Sequence, residues 1–139
     1  MFGNDRDSMR RYYLQVWQKF QQKQPMDALE QQVAQVVKEH PEYHKVLEYG
    51  EKAVQQDFLP ETGAPNPFLH MGLHLGIREQ VATNRPAGIN ELYRQLVVKY
   101  GTHDAEHRMM DCLAESIWLA QRNQTMPDET AYMECLKNR

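Results

Sequence analysis

The chain has only two cysteines, no long hydrophobic run and no surplus of basic charge. Each shortage excludes something. Cys112 and Cys135, in 139 residues and with no CxxC spacing, are too few for a disulfide framework. They are expected to be unpaired, half-buried helix residues in a reducing compartment, and neither has a histidine at helical spacing to activate a thiolate. No apolar stretch approaches the ~20 residues that span a bilayer. The opening MFGNDRDSMRR also lacks the apolar middle of a signal peptide. A net charge of −3, a pI near 6.1 and a mean hydropathy of −0.77 disfavour nucleic acid and anionic membrane as partners. The expectation is a soluble, cytoplasmic globule of one domain, residues 1–139, with 41% apolar residues to build a core.

Strand-like alternation and internal repeats are also missing, and the apolar spacing is helical almost throughout. Met9, Tyr12, Tyr13, Val16, Trp17 and Phe20 make one stripe on a first helix, which closes before Pro25. Asp27 and Glu30 have the spacing of a capping box for a second helix with Leu29, Val33, Val36 and Val37 on its inner face. Pro41 interrupts that helix and opens a third, to about residue 55, with Gly50 as its weak point. A loop follows at 58–66, and residues 1–6 are expected to be flexible. Asn66–Pro67 starts a fourth helix reaching about residue 82. A fifth ends at Gly101, Thr102 caps a long sixth, and Pro127–Asp128 opens a terminal one. The fold class is all-α, a single-domain helical bundle of five to seven helices.

All six histidines fall in HxxxH pairs: His40 and His44, His70 and His74, His103 and His107. Residues four apart share a helix face, so each pair can aim two imidazoles at one point, as helical transition-metal sites do. The spacing puts every pair on an apolar face and near a helix start, where the dipole favours the neutral, ligating ring. Metal binding would therefore weaken below about pH 6, near the ordinary histidine pKa. Glu42, Asp104, Glu106 and Asp111 are near enough in sequence to ligate or to orient an imidazole. The acid in HDAEH sits at the wrong place for HExxH, and the paired Glu-x-x-His of di-iron bundles is missing. Met71, Met109 and Met110 read as core.

The blocks HPEYH, NPFLHMGLHLGIREQ and HDAEHRMMDCLAESIW, in this order, resemble a bacterial family known as domain of unknown function 1841. The likeness runs from about Val16 to the terminal PDETAYMECL. It implies a single cytosolic domain and supplies no catalytic residues.

The leading reading is a transition-metal site (zinc, iron or nickel, with no other cofactor) built from His70, His74, His103 and His107. His40, His44, Glu106 and Asp111 are candidate further ligands. Whether the protein is an enzyme stays open. The alternative is a non-enzymatic helical interaction or dimerisation module with core histidines and a contact surface of Tyr12, Tyr13, Trp17 and Tyr132. A homodimer is the one partner suggested, through the contact surface of this second reading; no partner protein is named.

Overall fold

A computed structural model of the chain describes residues 5–58 and 66–139. Residues 1–4 and most of the expected loop, 59–65, lie outside it. The described residues form eight α-helices and one short 3-10 turn, with no strand. The helices are α1 (Asp5–Gln21), α2 (Ala28–Lys38), α3 (His44–Glu48), α4 (Glu51–Gln55), α5 (Pro67–Thr83), α6 (Ile89–Tyr100), α7 (Thr102–Asn123) and α8 (Glu129–Lys137). The all-α class is as expected and the count is higher, for a local reason. The single helix expected over 41–55 is broken into the 3-10 turn Pro41–Tyr43, α3 and α4. Gly50 sits at the second break with φ +60° and ψ −125°, backbone that a residue with a Cβ rarely adopts. Residues 5 and 6 open α1.

The chain divides into two compact units, the first ending at Met71 and the second running Gly72–Arg139. The boundary falls inside α5.

In the first unit α1 packs on α2 and α4. Its core is Tyr13, Val16 and Trp17 of α1, Val33, Val36 and Val37 of α2, Leu47 of α3 and Val54 of α4. Two expected core members are out: Met9 is 61% exposed and Leu29 55%. Leu29 lies in the first turn of α2, whose buried apolar residues begin at Val33. That helix starts as its sequence requires. Asp27 accepts from the Glu30 amide at 2.8 Å and the Glu30 carboxylate accepts from the Asp27 amide at 3.0 Å. A buried cation completes the unit. Arg10 donates to the Val54 carbonyl at 2.9 Å and the Gln56 carbonyl at 2.7 Å, and its guanidinium lies 5.1 Å from the Phe68 ring centroid.

The second unit is built on longer helices. α7 packs on α6 and α8 around Ile77, Ile89, Leu96, Met109, Met110 and Leu136. Gly101 alone joins α6 to α7, at φ +86°, and it rather than Thr102 is the N-cap residue of α7. Asp128 caps α8 by accepting from the Ala131 amide at 3.1 Å. The cysteines depart from expectation. Cys112 of α7 and Cys135 of α8 form a disulfide, because the packing of the two helices brings their Cα atoms to 5.9 Å. Sequence spacing carries no trace of that approach.

Candidate metal centre

Helix α5 carries the centre of the candidate site. Asn66 caps it, accepting from the Phe68 and Leu69 amides at 3.1 Å each. His70 and His74 then lie one turn apart on the same face. His74 is 2% exposed and Met71, next to His70 in the chain, is fully buried. His70 is half-buried.

The third histidine does not come from the helix the spacing suggested. His40 lies outside any helix, at φ −123° and ψ 67°, just before the 3-10 turn that Pro41 opens. The 40/44 pair therefore has no shared helical face, and its two rings part. The His40 ring stands 5.1 Å from His70, edge to face, and stacks on Tyr43 at 5.5 Å. The His44 ring instead lies 4.4 Å from Trp17. His40, His70 and His74 each offer a ring nitrogen within 4.8 Å of the others, a group able to hold a metal ion.

Hydrogen bonds fix which nitrogens point where. His40 Nδ1 lies 2.7 Å from the Val36 carbonyl. A carbonyl only accepts, so Nδ1 carries the proton and Nε2 holds the lone pair of the neutral ring. His74 Nδ1 is bonded to the Glu106 carboxylate in the same sense. Arg78, one turn beyond His74 on α5, meets the same carboxylate oxygen, with Nη2 3.0 Å and Nε 3.1 Å from Oε1. Burial of Glu106 by itself raises its pKa. The bonds from His74 and Arg78 outweigh that, and the carboxyl stays below the ordinary range, charged at neutral pH. Glu106 is thus an acceptor that orients an imidazole rather than a spare ligand.

The α7 pair sits within the second unit. The His107 ring is 5.0 Å from His74 and 4.3 Å from His103. His107 is half-buried, whereas His103 is exposed, against the expectation that all three pairs face inward. The buried face of α7 runs through Ala105, Glu106, Met109, Met110 and Cys112, and His103 precedes it in the first turn. Asp111 and Asp104 are exposed on the same helix, as is Glu42 on the 3-10 turn. His44 serves the fold: its Nε2 donates to the Val37 carbonyl at 2.8 Å. The dipole argument also fails for His40 and His44, since both rings meet the carbonyl end of α2 rather than the amide end of a following helix. Met71, Met109 and Met110 are core, as their spacing suggested.

Of the tyrosine and tryptophan surface of the alternative reading, Tyr12 alone is partly exposed. Tyr13, Trp17 and Tyr132 are 4%, 8% and 5% exposed, each inside its own unit. Their helical spacing marked them equally well as core.

Fold and cluster together define an all-α chain with a three-histidine group, His40, His70 and His74, a class with no built-in reaction. A family model, Domain of unknown function (DUF1841), matches residues 5–138, and the chain belongs to that family. No curated protein and no solved structure matches it. Among the described residues no helix is long and apolar enough to cross a membrane.

Proposed function

We propose that the protein binds one transition-metal ion on α5, with His40, His70 and His74 as ligands and His107 as the candidate fourth. Zinc, iron and nickel all suit an imidazole set. Exposed His103 and Asp111 stay outside it, and Glu106 supports it from behind. The observation that carries the reading is that His40, His70 and His74 each offer a ring nitrogen within 4.8 Å of the others. Nδ1 of His40 donates to a backbone carbonyl and Nδ1 of His74 to a carboxylate, which sets the direction of each ring. Imidazole ligands are held in this way by acceptors that set tautomer and ring direction. Three imidazoles plus water would leave an open position for hydrolysis or redox chemistry; a fourth would close the site as a structural one.

The test uses untagged protein and elemental mass spectrometry. Stoichiometric metal is expected in the native chain, and its loss in His74→Ala. Glu106→Gln keeps a hydrogen-bond acceptor but removes the charge, and should weaken metal affinity by roughly 10–100-fold. A protein that is isolated without metal and does not take up zinc, iron or nickel on titration overturns the reading.

A further inference from the structure

The disulfide of the second unit has surroundings that a purely structural cross-link does not need. Cys112 is 1% exposed and belongs to the apolar core, while Cys135 is only partly buried. Both line one side of a cavity of about 230 Å³ that also meets Ser116 and Tyr132. A cation reaches both sulfurs: Arg139 Nε lies 3.4 Å from Cys112 Sγ, and Nη2 lies 3.9 Å from Cys135 Sγ. The Arg139 backbone is held in turn, its carbonyl accepting from the Tyr100 hydroxyl at 2.7 Å.

We propose that Cys112–Cys135 is a thiol–disulfide exchange site, taking two electrons from soluble thiols, with Cys135 as the attacked sulfur and Cys112 as the leaving one. The asymmetry of exposure chooses the direction. An incoming thiolate reaches Sγ of Cys135 from the cavity and forms a new S–S bond there. The electron pair of the old bond passes to Cys112 Sγ, which departs as a thiolate facing the Arg139 guanidinium. A thiolate that leaves beside a fixed cation is a better leaving group, because its charge is compensated where it forms. A second thiol then attacks the mixed disulfide and releases Cys135. The balance is one protein disulfide and two thiols converted to a protein dithiol and one small disulfide. This site shares no residue with the α5 histidines and stands or falls without them.

Oxidised protein is incubated, folded, with reduced glutathione at neutral pH, quenched with N-ethylmaleimide and mapped by peptide mass spectrometry. The early product should carry glutathione on Cys135 and maleimide on Cys112. Arg139→Gln should slow its formation roughly fivefold, with Arg139→Lys falling between, while circular dichroism stays at the native signal. Glutathione mapped to Cys112 would overturn the assignment. So would a native chain that reacts only after denaturant has unfolded it, a result that needs no variant to read, or a folded Arg139→Gln protein that reacts at the native rate.

Discussion

Arg10, His40 and His44 of the first unit end on backbone carbonyls, whereas His74, Arg78 and Tyr132 of the second end on other side chains. Arg10 reaches Val54 and Gln56, His40 reaches Val36, and His44 reaches Val37. In the second unit His74 and Arg78 both meet Glu106, and the Tyr132 hydroxyl meets Gln80 at 2.6 Å. Helix length explains the contrast. Each helix leaves its last four carbonyls without an internal partner, so short helices are mostly ends. Val36 and Val37 belong to the last turn of α2, and Val54 to the five-residue α4. Arg10, His40 and His44 are consumed in closing those ends. The second unit has few ends, with α7 alone running through 22 residues, and its polar side chains are left to pair with one another. Side-chain pairs of that kind can orient a ligand; a side chain spent on a carbonyl mainly holds the chain. His40 does both.

The largest expected effect probes the two cores in alkali. Burial pushes the Tyr13 phenol up to about 12, and it raises Tyr132 in the second unit as well. A raised pKa means that the folded state holds its proton while the unfolded tyrosine, near 10, releases it. Stability is therefore complete below pH ~10 and is lost as pH rises through the folded value. For Tyr13 the loss should reach about 2–3 kcal/mol by pH ~12. Denaturant titrations at a series of pH values, repeated on Tyr13→Phe and Tyr132→Phe, check it. Tyr13→Phe should remove that part of the loss, and Tyr132→Phe should leave a decline that the first unit still shows. If neither variant flattens the curve, the two hydroxyls are not buried in solution.

His44 tests the division of labour directly. Its ring packs on Trp17 and donates to the Val37 carbonyl, so His44→Ala forfeits an aromatic contact and a second bond to a carbonyl that the His40 amide also meets. The expected cost is about 2 kcal/mol, read by urea denaturation. Metal content should not change. The opposite pattern, unchanged stability with metal lost, would move His44 into the site and erase the contrast between the units.

Much of this was legible in the residues. Helix starts at Asp27, Pro67 and Asp128 follow from capping chemistry, which is local. So is the stop at Gly101. The α5 pair was legible too, since four residues on a helix mean one turn wherever the helix goes. What failed was long-range. Nothing in HPEYH says that Pro41 sends the His40 ring toward α5 and the His44 ring toward Trp17. Nor does any spacing show that Cys112 and Cys135, 23 residues apart, would face each other across α7 and α8. His103 failed for a subtler reason: it shares a helical face with Ile117, and Ile117 is itself 37% exposed. An apolar neighbour four turns on is a poor witness to burial at a helix end.

The smallest effect separates two helix starts of the same type. Asp27 and Asp128 both cap by accepting an amide at the third helical position. At α2 that residue is Glu30, whose carboxylate returns a bond to the Asp27 amide and also meets Lys19 Nζ at 2.6 Å. At α8 it is Ala131, which has no side-chain acceptor to return. Removing Asp27 therefore breaks one bond of a reciprocal pair and loosens the carboxylate that ties α2 to α1. Removing Asp128 costs the cap alone. Each alanine variant should lose about 1 kcal/mol, Asp27→Ala the more. Amide exchange should report the first loss in α2 and the second in α8. Equal losses would mean that the returning bond adds nothing, and that the first unit depends on its side-chain-to-backbone closures less than their number suggests.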